Sequence, residues 1–348
     1  MIFLSLGARL LVNVEALNMV ESIGNVSRHR RATIIVHNGI YRKMEVPVIS
    51  GESLAHAYQE SLVLVAKQMY PDSPPICEWC VRGEFFKSMD TRHTMSEIEE
   101  KIKKIKRDID QVKTFEEEVI KNCLIEDIGG FLRAEKPPVK RTSRFQVGYL
   151  IPALDAIEST SIESQFHVRH APSEAVRAKA EEGEKRPAAA QMIYYIETGS
   201  ALYSLSFNLD VTGIGQTSMV EIADVLKKEE KERRIKVALG ALITMLSNKF
   251  FGAKRTRFLP IIEPRSVCAA VSSPLPFTVM PSTTRDFISQ TKEKADYLNK
   301  TLTKLGIVED VKIYAYSKEA KIPKGVVEVA SLEEVLGKVT EDILGRIK

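Results

Sequence analysis

Segments with the apolar pattern of β-strands alternate with segments that have the pattern of amphipathic helices along the whole chain. Ile2 to Val14 is apolar and extended. Thr33 to Val36 and Tyr41 to Val46 flank the hairpin dipeptide Asn38-Gly39, and a helix is predicted from Glu52 to Met69. Because strands and helices interleave and long insertions separate them, we expect an α+β fold around an antiparallel or mixed sheet.

The second part of the chain continues this alternation. Apolar residues recur every three or four positions from Ser96 to Leu124, which predicts one long amphipathic helix in an inserted helical layer. The polar stretch from Glu163 to Pro187 predicts a mobile loop or a protruding hairpin. The other predicted strands are Met192–Ile196, Ala201–Val211, Arg265–Val271, Phe277–Met280, Val311–Tyr316 and a short one near Val326, and the other predicted helices are Lys227–Asn248, Thr284–Leu305 and Leu332–Ile347.

The composition is that of a soluble globular protein, with 44% hydrophobic and 28% charged residues among 348. No stretch approaches the roughly 20 apolar residues that a membrane-spanning helix needs, so we expect a cytoplasmic protein without membrane partners. Asparagine and glutamine together number only 16, while lysine and glutamate are plentiful, a balance that favours a thermophilic source.

Cationic residues are concentrated in three short clusters, although the net charge is only +4. The first box is Lys140-Arg141-Thr142-Ser143-Arg144-Phe145, the second box is Lys254-Arg255-Thr256-Arg257-Phe258, and the third cluster is Arg28-His29-Arg30-Arg31. Cations, hydroxyls and rings in this proximity suit the phosphates and stacked bases of a single-stranded nucleic acid. The alternative is ordinary surface charge, with the rings anchored in the core.

Two further features have both a functional and a purely structural interpretation. Ser50-Gly51 opens a helix after a buried strand, which suits phosphate binding at the helix start or simple capping by Ser50. Cys77 and Cys80 form half of a zinc site, with His93 and Cys123 as conceivable further ligands, or else they are two ordinary cysteines in a turn. We assign no metal and no cofactor from the sequence.

The sequence lacks the common catalytic motifs. There is no Walker loop, GxGxxG, HExxH or GxSxG pattern, and no close carboxylate pair for two-metal chemistry. We therefore predict no catalytic residue.

Several segments, taken in order, resemble the crRNA-binding backbone subunit of archaeal type I-A CRISPR Cascade, the DevR-like branch of the RAMP superfamily and the seventh core Cas protein. They lie within about residues 1–280. The matching segments are Leu11–Asn18 with Glu21–Asn25, Pro47–Gln59, Gly129-Gly130-Phe131, Lys140–Arg144, Gln165–Arg169 and Phe251–Pro260.

The resemblance implies a modified RRM-like (ferredoxin-like) core sheet with an inserted helical layer and a protruding thumb-like hairpin. The RNA-binding core would comprise residues 1–70, 125–162 and 190–282, the helical insertion 71–124, the flexible thumb 163–189 and a C-terminal α/β extension 283–348. Copies of the chain would bind crRNA in a helical filament, support pairing of the target DNA strand and contact other Cascade subunits. The implied role is that of a scaffold and not of an enzyme.

The residues and the resemblance together predict an RNA-binding set. The predicted phosphate-binding cations are Arg28, Arg30, Lys140, Arg141, Arg144, Lys254, Arg255 and Arg257. Further predicted contacts come from Asn18, Ser22, Asn25, His29, Ser50, Gly51, His56 and Gln59, with His167 and Arg169 at the base of the thumb.

Two alternatives remain open at this point. One is a metal-free RAMP endoribonuclease that processes CRISPR transcripts with His29, His56 or His167. The other is a protein-interaction scaffold that docks through the predicted helix from Ile98 to Phe115.

Overall fold

The computed structural model describes residues 1–170, 191–248 and 251–347. The strands are β1 Phe3–Glu15, β2 Met19–Ile23, β3 Val26–His29, β4 Arg31–Asn38, β5 Ile40–Pro47, β6 Phe131–Arg133, β7 Val139–Arg141, β8 Phe145–Val147, β9 Ile151–Pro152, β10 Ser161–His170, β11 Gln191–Asp210, β12 Ile261–Ser273, β13 Asp310–Ser317 and β14 Val327–Glu328. The helices are α1 Gly51–Met69, α2 Glu78–Val81, α3 Ser96–Lys103, α4 Asp108–Asn122, α5 Leu124–Gly129, α6 Lys228–Ser247, α7 Arg255–Phe258, α8 Phe287–Thr303 and α9 Leu332–Ile347, with a 3₁₀ helix at Leu154–Ser159.

One large mixed sheet organises the molecule. Its strand order is β14-β13-β12-β1-β11-β3-β2, and β8, β9 and β10 also pair with β11. The central strand β1 runs antiparallel to both neighbours, so that Leu6 lies opposite Phe207 on one side and Ala269 on the other. The predicted combination of helices with an antiparallel or mixed sheet is therefore confirmed at the level of a mixed sheet with packed helices.

Side-chain alternation buries both faces of this sheet. Leu4, Leu6 and Ala8 of β1 belong to the main core, together with α1, α6 and α9. Tyr58 of α1 lies at its centre, where its ring packs edge-on against Phe207 and its hydroxyl donates to the Ala238 carbonyl at 2.9 Å. The opposite face of β12 and β13 packs under α8 in a second cluster that includes Cys268, Phe277, Phe287, Ile288 and Ile313.

The predicted long helix from Ser96 to Leu124 is wrong, because the chain forms α3 and α4 with a break between them. Lys101 and Lys103 lie in the last turn of α3, and Asp108 and Asp110 lie in the first turn of α4. Each charge thus suits the dipole of its own helix end, which favours two helices over one. Their apolar residues pack inside the chain against Phe131 and other core residues.

That internal packing also weakens the scaffold alternative. Most of the apolar stripe that would have docked a partner is covered by the chain itself, because Ile98, Ile102, Val112 and Phe115 are buried, although Ile109 is 55% exposed.

Other elements differ more modestly from the prediction. The two strands expected between residues 192 and 211 are one continuous strand, β11, and residues 277–280 form no strand. Of the predicted thumb, residues 171–189 lie outside the described residues. The residues that flank it pair as β10 and β11, in register from Ser161 opposite Ser200 to His170 opposite Gln191, and we call this two-stranded segment the arm.

None of the helices in the described ranges has the length and apolarity needed to cross a membrane.

Candidate nucleic-acid interface

Hydrogen bonds to the Leu17 and Asn18 backbone and to the Asn18 side chain bring several of the predicted clusters together. We call this region the junction. The Ala253 amide, just before the second box, donates to the Leu17 carbonyl at 2.7 Å. The Arg30 amide donates to the Asn18 carbonyl at 2.8 Å, and the Ser50 amide donates to Asn18 Oδ1 at 2.7 Å. Asn18 therefore has a positioning role between the third cluster and the start of α1.

The second box packs from the junction onto the arm. Phe258 contacts the His167 ring edge-on at a centroid distance of 5.6 Å, and His167 stacks on Tyr194 at 5.2 Å and 15°. Arg257 is exposed, and its Nη1 donates to the Tyr194 hydroxyl at 3.4 Å. Cations and partly exposed rings thus share one surface, as single-strand binding requires.

Like charges are held close together within the second box. Lys254 adopts a left-handed backbone with φ of 51° at the start of α7. Burial and the neighbouring Arg257 lower the pKa of Lys254. An anion bound between the two cations would relieve that repulsion.

The third cluster borders a groove of about 330 Å³ between β3 and the β4–β5 hairpin. Arg28 is exposed and Arg30 is half-buried. Arg31 is neutralised by Glu45 at 2.9 Å and Glu197 at 2.8 Å. The charge of Arg31 is therefore compensated within the chain.

His29 is a correction to the predicted RNA-binding set, because its side chain is buried. Its Nε2 lies 2.6 Å from Glu15 Oε1, and the same carboxylate oxygen accepts from the Tyr203 hydroxyl at 2.7 Å. Burial opposes protonation of His29, but the Glu15 carboxylate, the Arg30 carbonyl and Glu197 together raise its pKa. His29 therefore supports the fold at the end of β1.

The first box is largely internal, which corrects two further predictions. The Arg141 guanidinium is fully buried, pairs with the Asp127 carboxylate and lies 3.4 Å from Glu116. Arg144 faces Asp210 at 3.5 Å, with only 13% of its side chain exposed. Phe145 packs in the core, so it anchors the segment and does not stack on a base. Lys140 alone among these cations is exposed.

The start of α1 is capped and crowded. Ser50 is buried, and its Oγ accepts from the Ser53 amide at 3.2 Å. A Cβ on Gly51 would lie 2.8 Å from the Val147 carbonyl oxygen, so glycine permits this close approach. These contacts favour the capping interpretation, and Ser50 is a correction to the predicted RNA contacts.

The remaining predicted residues divide between the interior and the surface. Gln59 is buried, with its Nε2 bonded to the Ala55 carbonyl, so it is a further correction. His56 is exposed, lies 3.5 Å from Glu60 and packs edge-on against Phe85. Ser22 and Asn25 are exposed on the β2–β3 hairpin. Arg169 lies in β10 opposite Met192.

Tyr194 is a candidate contact residue that the sequence reasoning missed. It precedes the strongly alternating part of β11 and has no cation beside it in the sequence. Only the pairing of His167 with Tyr194 across the arm brings its ring to the second box. A search for rings opposite predicted arm residues would have found it.

Comparison of the fold with solved structures defines the class of protein. The fold is that of chains in CRISPR RNA-guided surveillance complexes. One such chain, from a complex described as pre-nicking, has a TM-score of 0.54 at 11% identity and covers 99% of this chain and 100% of its own length. A second has a TM-score of 0.50 at 9% identity and covers 98% and 99%.

Sequence comparison then identifies the family. The family model described as CRISPR-associated negative auto-regulator DevR/Csa2 matches residues 6–292. The chain belongs to this DevR/Csa2 family, which confirms the resemblance seen in its motifs.

Curated relatives match over nearly their full lengths. A CRISPR-associated aCascade subunit Cas7/Csa2 of Saccharolobus solfataricus is 36% identical, over 96% of this chain and 98% of the relative. A Cas7/Cst2/DevR protein of Methanocaldococcus jannaschii is 26% identical, over 98% of this chain and 100% of the relative.

Proposed function

We propose that the chain is a crRNA-binding backbone subunit of a CRISPR surveillance complex and acts as a scaffold without catalysis. The observation that carries this proposal is the junction, where Ala253, just before the second box, is hydrogen-bonded to Leu17, and Arg30 and Ser50 are hydrogen-bonded to Asn18. The second box packs from there on the rings of the arm. Membership in the DevR/Csa2 family supports it.

The chemistry of binding follows from the predicted residues that the corrections above leave in the set. Lysine and arginine neutralise phosphates, arginine can fork onto two oxygens, and the rings offer stacking surfaces to bases. The proposed phosphate-binding cations are Arg28, Arg30, Lys140, Lys254, Arg255 and Arg257. Asn18, Ser22, Asn25, Gly51, His56, His167, Arg169 and Tyr194 are the proposed supporting residues.

The RRM-like interpretation of the core belongs to the same proposal. Strands β12, β1 and β11 lie side by side, with β8, β9 and β10 on β11, and α1 and α6 pack together in one core. In the chain, the long helix α1 lies between β1 and β11, and the long helix α6 lies between β11 and β12. This order of long elements supports a ferredoxin-like arrangement. The proposal includes the helical insertion at residues 71–124, the thumb-like insertion at 163–189 and the C-terminal α/β extension at 283–348.

In the proposed assembly, several copies bind along one guide RNA and the arm continues into a thumb that interrupts pairing of the guide with target DNA. Other subunits of the complex would cap the filament. Contacts to the RNA backbone predict little preference for the variable sequence of the guide.

The test is purification of the chain with and without a CRISPR guide RNA, followed by light scattering for particle mass and a gel for RNA integrity. We expect large particles that contain intact RNA. A chain that stays small and ignores RNA would contradict the proposal.

The same experiment separates the scaffold from a ribonuclease. His29 is held in a buried pair, which leaves His56 and His167 as the histidines from the proposed nuclease set with some exposure. Site-specific cleavage of repeat RNA without metal, abolished by His56→Ala or His167→Ala, would favour the enzyme.

A further inference from the structure

Three cysteines and one glutamate from distant parts of the sequence meet in a buried group, which we call the cysteine cluster. One ligand atom from each of Cys77, Cys80, Cys123 and Glu126 lies within 4.8 Å of the others. All four residues are buried, Cys77 being the most accessible at 5%. Each of the two segments contributes two of these residues at the same spacing, as Cys-x-x-Cys in the first and Cys-x-x-Glu in the second.

Local backbone structure points these side chains at one another. Cys77 occupies the position before α2, and Cys80 lies within that helix. Cys123 is the single extended residue between α4 and α5, and Glu126 is in the first turn of α5. The Leu124 amide donates to the Pro75 carbonyl at 2.8 Å, which holds the two segments together.

A neighbouring loop orients the carboxylate. Ser88 Oγ donates to Glu126 Oε2 at 2.6 Å, while Glu126 Oε1 lies 3.4 Å from Cys77 Sγ. The Ser88 hydroxyl thus fixes one carboxylate oxygen of Glu126, while the other oxygen faces the Cys77 sulfur. Hydrogen bonds from residues outside the ligand set orient metal ligands in the same way. The backbone of this loop is left-handed at three residues that are not glycine, Phe85, Lys87 and Ser88, with φ of 48–58°. Such strain is typical of functional sites, where the surroundings enforce it.

We propose that the cysteine cluster is a structural zinc site with three thiolate ligands and one carboxylate ligand. Zinc prefers four ligands in a tetrahedron at about 2.3 Å from sulfur, which places ligand sulfurs about 3.8 Å apart. A small contraction of the cluster therefore closes the site around the ion. Thiolates select zinc over magnesium and calcium, and the thiol protons leave to solvent on binding.

This inference revises the assignment of no metal made from the sequence. His93, the ligand considered there, donates from Nδ1 to Asp90 Oδ1 at 2.8 Å and packs on Phe86. Glu126 takes the fourth place instead. Bound zinc would tie α2 to the α4–α5 connection and so hold both ends of the helical segment 78–122. The site does not depend on RNA binding, so either proposal can fail without the other.

Metal content of the full chain tests the proposal directly. The protein is purified without chelators, incubated with ZnCl₂, desalted and measured by mass spectrometry of the metal. We expect one zinc ion per chain in the wild type and loss of most of it in Cys80→Ser and Cys123→Ser. Cys268→Ser is the matched control, because Cys268 is equally buried in a different cluster, and it should keep its zinc.

Cobalt substitution of the wild type keeps the test valid if the cysteine variants do not fold. After removal of zinc with a chelator, CoCl₂ should give the strong thiolate-to-cobalt charge-transfer absorption of a tetrahedral sulfur site. Folded wild-type protein that retains no zinc and shows no such absorption would overturn the proposal. Equal loss of zinc from Cys268→Ser and Cys80→Ser would also overturn it.

Discussion

At the scale of single residues, neighbours in the sequence have opposite roles. Lys140 is exposed, while the next residue, Arg141, is buried in a network with Asp127. The Asp127 carboxylate also accepts from Arg234 at 3.0 Å and from the Gly215 amide at 3.0 Å. A cation-rich motif therefore contains both a candidate ligand contact and a structural ion pair.

The same substitution at these two positions separates the roles. Arg141→Met should lower the free energy of unfolding by about 3–5 kcal/mol, because it leaves buried carboxylates short of a partner. Lys140→Met should change it by less than about 0.5 kcal/mol. Urea denaturation of both variants checks this. Equal stability losses would contradict the burial assigned to Arg141.

RNA titrations of the same two variants address the ligand contact. Lys140→Met should reduce the slope of log affinity against log salt by about 0.7, because one phosphate contact is lost. Folded Arg141→Met should keep the wild-type slope.

The buried His29–Glu15 pair predicts a pH dependence of stability. The pKa of His29 in the folded chain is raised above 6.5. The stabilisation from the charged pair is therefore fully present below about pH 6.5 and is lost as pH rises through the folded-state pKa. Urea midpoints measured between pH 5.5 and 8.5 should fall over this window in the wild type and much less in His29→Gln. The exposed His56 offers the control, and His56→Gln should retain the wild-type decline.

At the scale of elements, the position of the second box depends on a tight contact beside α7. Gly252 has φ of +84°, and a Cβ there would lie 2.6 Å from Leu17 Cβ. The short helix is thus held where Arg257 and Phe258 meet the arm. The docking geometry comes from this contact and not from helix propensity, since α7 has only four residues.

Gly252→Ala tests that docking. Overpacking against Leu17 should cost about 1–3 kcal/mol and displace the box, so RNA affinity should fall. Gly306→Ala is the control, because Gly306 also has positive φ, at +77°, but nothing lies within 4 Å of its Cβ position. It should cost about 1–2 kcal/mol of stability and leave RNA affinity unchanged. Equal effects of the two variants on affinity would contradict a specific role for the Leu17 contact.

At the scale of the whole molecule, the corrected set of cations makes a quantitative prediction. Removing Arg141 and Arg144 from the eight predicted phosphate-binding residues leaves six. If each neutralises one phosphate, log affinity should fall against log salt with a slope near −4 per bound subunit. Fluorescence titrations of guide RNA at several salt concentrations measure this slope, and a nearly flat response would argue against phosphate binding.

Much of the fold was predictable because its elements have strong local patterns. Strand β1, the hairpin β4–β5, the helices α1 and α6 and the last helix α9 lie close to their predicted ranges. The break between α3 and α4 was missed because the apolar spacing continues through it, whereas the charges that favour two helix ends act only locally. The continuous strand β11 was missed for the converse reason, since its long pairing with β1 and β10 extends it through Gly199.

The sequence by itself determined most of the elements, the places where cations are concentrated and the family, because local periodicity and motif order do not depend on distant contacts. Only the tertiary structure decided which charged side chains reach solvent and which pair internally. Arg141 meets Asp127, Glu116 and the 213–216 loop, and Cys77 and Cys80 meet Cys123 and Glu126, through contacts between distant segments. The cost of burying an unpaired charge or polar group is set by those distant partners, so no local pattern could report it.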